Sequence, residues 1–405
     1  MPTFDFDRPI DRRGTASLKW EKYAHRDIIP LWVADMDFMP PTAVLDALKK
    51  RIDHGVLGYT RPPASLVETV VDMLQQQFAW GIQPEWIVWL PGLVTGINVA
   101  CRTAGNDGDA VVTAVPVYPP FLSAPQLARR ELITVPMRLD DHGWHWDLEA
   151  LEARLTPAAR LLLLCSPHNP VGRAFRRDEL KDLIAICERH DLVICSDEIH
   201  GDLILDPASR HIPTATVSPA ARDRCITLMA PSKTFNIPGL GCSFAVIGND
   251  RLRHRFRQAM AGIVPDVNVL GYTAAEAAYR DGWDWHMALL EYLRQNRDLV
   301  FREIGRMPPL QTTLPEATYL AWIDARGLEM ENPTAFFEAA GVGLSDGKDF
   351  GAVGYVRLNF GCPRALLEDE DVAIGPAGED VVATATHQHV DTGPAGQTVI
   401  AAATV

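Results

Sequence analysis

Between residues 86 and 247 the chain repeats one pattern, a short run that is apolar at nearly every position followed by a stretch with helical spacing. The strand candidates are 86–90, 110–115, 132–135, 161–165, 192–195, 225–229 and 243–247, and helices are expected from Val94, over 120–127 and over 178–188. A strand that is apolar on both of its alternating faces must be covered on both, as in a parallel sheet flanked by helices. The pattern therefore predicts an α/β fold built on a mostly parallel sheet. In such sheets ligands sit beyond the carboxyl ends of the strands. Five segments with unusual chemistry fall there: 91–96, 116–121, 166–172, 196–200 and the stretch around Lys233.

Lys233 stands in Ala230-Pro-Ser-Lys-Thr-Phe-Asn236, between an apolar run and a Pro/Gly-rich turn, with no acidic neighbour from Ile226 to Ser243. One reading is an exposed loop lysine, the common fate of this residue. The other is a partly desolvated amine kept nucleophilic so that it can hold an aldehyde cofactor.

The rest of the chain bounds the choice. At 405 residues, 47% apolar, there is core enough for two domains. A net charge of -14 argues against nucleic acid or an anionic membrane as the main partner and favours a small molecule. No apolar run approaches the ~18 residues of a membrane span, and the first residues lack a signal-peptide pattern, so a cytoplasmic location is expected. The seven cysteines form no C-x-x-C pair and lie mostly in apolar segments, as reduced, packed thiols do. No metal site is expected. Residues 1–41 read as an arm joining the smaller domain. The large domain is placed at 42–275, with helix from Thr42, an exposed aromatic loop Gly55-Val-Leu-Gly-Tyr-Thr60 and helix over 64–78. A smaller α+β domain is expected at 276–368, opening within a long helical region over 270–304 and continuing with strand and helix from 318 to 360. Residues 369–405 have no Lys or Arg and no amphipathic period, and read as a poorly ordered tail.

Taken together, Leu31-Trp-Val-Ala-Asp-Met-Asp-Phe38, the 55–60 loop, Pro167-His-Asn-Pro-Val-Gly172, Ser196-Asp-Glu-Ile-His200, the Lys233 segment and Arg357-Leu-Asn-Phe-Gly-Cys-Pro-Arg364 resemble the fold-type I enzymes dependent on pyridoxal 5'-phosphate (PLP). Within them they are similar to the cystathionine β-lyase-like C–S lyases of the class I/II aminotransferase superfamily. The resemblance runs from residue 4 to about 367. It implies a PLP-dependent transferase-like fold, with Lys233 carrying the cofactor and Asp197 beside its ring nitrogen. Asn169 is assigned to the phenolic oxygen and to the substrate carboxylate, with His200 where many relatives use tyrosine. Tyr118 matches the aromatic stacked on the ring; its plain alternative is core packing. Gly92, Leu93 and Val94 open a helix whose N-terminus suits a phosphate, and Ser232 is a hydroxyl partner for it. Arg357, in an apolar strand, is costly unless it meets an anion, and the resemblance makes that anion the substrate α-carboxylate. Tyr59 is implied to reach the phosphate of a neighbouring subunit, hence a homodimer with shared sites. The implied activity is α,β-elimination of cystathionine or cysteine S-conjugates; an aminotransferase shares every cofactor residue, and a metabolite-binding regulator without turnover is the reading of a different class.

Overall fold

The computed structural model describes residues 4–141 and 143–368; the tail expected at 369–405 lies outside them. Fourteen strands are distributed over three sheets among the described residues. In chain order they are β1 (Ile29–Pro30), β2 (Ile87–Leu90), β3 (Ala110–Val115), β4 (Glu131–Asp140), β5 (Gly143–Trp146), β6 (Ala159–Cys165), β7 (Val193–Asp197), β8 (Cys225–Met229), β9 (Ser243–Val246), β10 (Gln311–Thr312), β11 (Leu320–Asp324), β12 (Val342–Gly343), β13 (Ser345–Asp346) and β14 (Tyr355–Asn359).

The main sheet has eight strands in the order β2-β9-β8-β7-β6-β3-β4-β5. Its centre, β8-β7-β6-β3-β4, is parallel throughout. The four leucines of β6, Leu161–Leu164, are fully buried because helices cover both faces, and each contributes about 1.5–3 kcal/mol by leaving water. β9 runs antiparallel to both β8 and β2, so β2 points the same way as the parallel core. The carboxyl ends of β2, β3, β6, β7 and β8 therefore open on one edge, which carries Gly92, Tyr118, Asn169, Asp197 and Lys233 within a few residues of the strand ends.

The expected strands at 110–115 and 225–229 and the helices Ala64–Phe78 and Pro120–Leu127 have the expected bounds. The strand expected at 132–135 instead runs ten residues and turns back as β5. These two lie at the edge, where one face meets solvent, so their outward positions are polar and an apolar run marks only part of them. The single long helical region expected over 270–304 is two helices, Val269–Asp281 and Trp283–Ile304, meeting at Gly282. A Cβ at Gly282 would stand 2.5 Å from the Ala278 carbonyl oxygen and 2.7 Å from the Phe235 ring. Helices at Leu148–Arg154, Pro219–Arg224 and Asp250–Met260 escape a purely apolar pattern but carry caps: Asp147, Ser218 and Asn249 each accept a hydrogen bond from a backbone N–H three residues on.

The second sheet, β10-β11-β14-β13, is antiparallel. Residues before 42 cross it: β1 pairs with β12, and Leu31 exchanges backbone hydrogen bonds with Gly343 and Asn359. This crossing carries the chain over the open edge of the main sheet. Seven free cysteines are buried. No helix among the described residues is long and apolar enough to cross a membrane.

Candidate active site

Asp197 ends β7 and is buried; its Oδ1 accepts a hydrogen bond from the Ile199 N–H at 3.1 Å. Removal from water pushes its carboxyl up to about 7, opposed by the Ile199 hydrogen bond and raised further by Glu198, with Lys233 pulling down. Such a carboxyl calls for a cationic or proton-donating group against it. The residues on either side of Asp197 are tied down by hydrogen bonds. Glu198 is fully engaged by Ser196 Oγ (2.8 Å), the Thr214 N–H (2.9 Å) and His211 Nε2 (2.8 Å).

Lys233 lies in the four-residue helix Pro231–Thr234 just after β8. Its Nζ donates to the Ala34 carbonyl, which also accepts from the Tyr319 hydroxyl at 3.0 Å. Burial lowers its ammonium to about 8, so an appreciable fraction is neutral and nucleophilic near neutral pH. Lys233 is half-buried with its Nζ bound inside the fold, which sets the exposed-loop alternative aside.

Arg357 sits in mid-β14, buried, opposite Trp322 on β11 and Ser345 on β13. Its Nη1 donates to Asn169 Oδ1 at 2.9 Å, across 188 residues of chain, and its Nη2 donates to the Trp32 carbonyl at 2.9 Å. The guanidinium lies 4.7 Å from the centre of the Phe350 ring. Every one of these partners is neutral, no carboxylate among the described residues pairs with Arg357, and its Nε has no hydrogen-bond partner. Burial lowers it to about 10 against the pull of Tyr118 and Tyr319. A buried cation surrounded only by neutral dipoles is suited to an anionic group.

The Asn169 loop is held from two directions. His168 Nε2 lies 2.7 Å from the Pro116 carbonyl, and the Tyr118 N–H donates to the Asn169 carbonyl, so the Tyr118 and Asn169 loops move as one. Gly172 closes the loop at φ +73°, where a Cβ would come 2.6 Å from Pro315. Arg173 next bridges Glu179 and Glu316 at 2.7 and 2.6 Å. His200 is buried with its Nδ1 unpartnered and its ring edge-on to Tyr319; burial, with Lys233 and Arg357 nearby, lowers it to about 3, so it is a neutral imidazole. Gly92 precedes the helix Leu93–Thr103, whose first N–H groups have no side-chain cap, with Leu93 buried and Val94 exposed. Ser232 is half-buried beside Lys233. Tyr59 is fully exposed on the 55–60 loop.

The model of the aminotransferase class I and II family matches residues 26–369. The chain belongs to that family. Among its relatives, the cystathionine beta-lyase PatB of Bacillus subtilis (strain 168) is 37% identical over 90% of this chain and 97% of its own. The solved structure of OvoB superposes with TM-score 0.88 at 51% identity, covering 90% of this chain and 96% of that one. Cystalysin of Treponema denticola, solved with a pyridoxal 5'-phosphate cofactor, gives TM-score 0.87 at 34% identity over 92% and 97%.

This class I/II chain also uses residues to which the motif reading gave no role. Tyr319, fully buried ahead of β11, and Asn236, three residues after Lys233, both bind the backbone of the 32–38 segment. Asn359 Nδ2 donates to the carbonyls of Val33 and Asp35 at 2.6 and 2.8 Å. Asp35 is a carboxylate near Lys233 supplied from almost 200 residues away. The motif string contained it, but nothing local to Lys233 announced it.

Proposed function

We propose that this protein is a PLP-dependent C–S β-lyase that eliminates the thiol of cystathionine or another cysteine S-conjugate, leaving pyruvate and ammonia. The observation that carries the reading is the meeting of a buried, acid-free arginine, Arg357, with the depressed lysine Lys233 and the raised carboxyl Asp197 at one edge of the sheet. Lyase names and PLP occur among the relatives, in PatB and cystalysin.

The residues suit PLP. Asp197 would hold the protonated ring nitrogen, Tyr118 the ring face, Asn169 and His200 the phenolic oxygen, and the N–H groups at 92–94, which have no side-chain cap, would hold the phosphate together with Ser232. The unpartnered His200 Nδ1 and Arg357 Nε support this reading, since each is a buried polar atom with hydrogen-bonding capacity to spare. Bound there, PLP supplies an electron sink for charge developing at the substrate Cα. Arg357, with Asn169 beside it, grips the α-carboxylate and fixes which face of Cα meets Lys233. The Lys233 amine would hold the cofactor and, once free, would take the Cα proton, a task suited to a base near neutral pH. As the Cβ–S bond breaks, its electron pair leaves with sulfur, which Lys233 in its ammonium form can protonate. The remaining three-carbon unit takes up water to give pyruvate and ammonia. In this reading the active form is a cytoplasmic homodimer, Tyr59 crosses to the partner's phosphate site, and the chain divides into an arm to 41, a large domain to 275 and a small one to 368.

The test is to incubate the purified chain with PLP and cystathionine and assay thiol, pyruvate and keto-acid amination together. Equal amounts of thiol and pyruvate, abolished in Lys233→Ala, are expected. Amination of an added keto acid without thiol release would replace the lyase by an aminotransferase.

A further inference from the structure

The 32–38 segment is irregular backbone tied along its length to residues of the site. Asn236 binds Met36 and Phe38, Asn359 binds Val33 and Asp35, Ser345 and Arg357 bind Trp32, and Lys233 and Tyr319 bind Ala34. On its far side an ion network pins it to the start of the arm. Arg12 reaches Asp35 Oδ2 at 2.6 Å and Asp37 Oδ1 at 2.7 Å, Lys19 reaches Asp37 Oδ2 at 2.6 Å, and the Trp20 indole N–H donates to Asp37 at 2.9 Å. Asp37 is satisfied by this network. Asp35 is not: one of its oxygens is held by Arg12, while Oδ1 is buried without a hydrogen-bond partner. Asp35 follows directly on the residue whose carbonyl accepts from Lys233.

From this we infer that Asp35 is a positioning residue for Lys233: a carboxylate fixed behind the Ala34 carbonyl that sets the proton affinity of the amine, with Arg12 on its far side moderating that charge. The inference rests on the reading of Lys233 as the PLP-bearing base. The charged and titratable groups facing Lys233 are Asp35 from the arm, Asp197 and His200 from β7 and the turn after it, Arg357 from β14 and Tyr319 ahead of β11. After burial, Asp35 is the largest influence on the lysine, opposing the desolvation that lowers it; Arg357 pushes further down and Asp197 up. The arm carboxylate thus exceeds the cofactor-site carboxylate in its pull on the base. The consequence for chemistry is direct. Without Asp35 the amine would be neutral more of the time but a weaker base, and a poorer donor to a departing sulfur only in amount, not in acidity. With Asp35 present but uncompensated by Arg12, the amine would stay protonated and capture the cofactor slowly.

The test reads the lysine itself and not turnover. Full-length chain freed of PLP is mixed with PLP over a pH series, and the rate of covalent capture is followed by absorbance, with borohydride reduction and peptide mapping to confirm Lys233 as the site. Capture requires the neutral amine, so its half-point reports the lysine, while the ionisations of PLP are common to all variants. Asp35→Asn keeps the shape and an oxygen for Arg12 but removes the charge. Its half-point is expected about one pH unit lower, making capture below that point about tenfold faster. Arg12→Met removes the moderating cation while Lys19 and Trp20 still hold Asp37, and is expected to move the half-point upward. Opposite shifts support the inference. Unchanged half-points, or shifts of the same sign from a merely disordered arm, would overturn it. Should Asp35→Asn fail to fold, the upward shift of Arg12→Met decides alone, and its absence overturns the proposal. Wild-type chain that captures no PLP at Lys233 would instead sink the cofactor reading beneath it, a result distinct from normal capture that ignores Asp35.

Discussion

Replacing Asp197 by Asn removes a charge that the folded, cofactor-free chain holds at a cost. The buried carboxyl is raised from its ordinary 3.8 to about 7, a displacement worth about 4 kcal/mol. The sign follows from proton counting: between these two values the folded chain keeps a proton that the unfolded chain has lost. Stability from this group is therefore full below about pH 4, falls as pH rises toward 7, and stays low above it. Asparagine has no such dependence and can still accept from the Ile199 N–H. Cofactor-free Asp197→Asn should accordingly be more stable than wild type, and the gap should widen by about 1.4 kcal/mol between about pH 6 and about pH 8.5. Urea unfolding of the two apo-proteins, followed by the fluorescence of the ten tryptophans, measures it. Adding PLP should reverse the order, because the wild type gains more from a ligand that its carboxylate holds. A gap that does not change with pH, or one that narrows as pH rises, would refute the picture of a desolvated carboxyl awaiting a cation.

Arg357→Ala should lower kcat/KM for an amino-acid substrate roughly a hundredfold or more, chiefly through KM, while PLP uptake remains; equal loss for a substrate lacking the α-carboxylate would contradict the assignment. Mixing inactive Lys233→Ala chains with inactive Tyr59→Phe chains should restore part of the activity, since one mixed site then has both residues; no recovery after proven subunit exchange would confine Tyr59 to its own chain. Gly172→Ala should destabilise the protein by more than about 2 kcal/mol in urea unfolding, because its φ of +73° and the 2.6 Å approach to Pro315 both penalise a Cβ. A cost near zero would mean that the Asn169 loop and the 315–317 segment are not pressed together.

Much of the fold could be read from the chain because its central strands are buried on both faces. Leu161–Leu164 have no polar position to confuse the pattern and the run at 225–229 has only the buried Thr227, and the residues just beyond such strands gather at one edge whatever the loops do. Asp197, Asn169 and Lys233 were legible for that reason. The edge hairpin of β4 and β5 and the break at Gly282 were not, since one-sided burial and the press of the Phe235 ring are properties of neighbours. The electrostatics of the site were least legible. Sequence placed Lys233 among neutral residues, and locally that is true; the arm brings Asp35 to it, β14 brings Arg357, and β7 brings Asp197. Charge acts through space, so the proton affinity of this lysine is a tertiary property, decided by which distant residues fold against it.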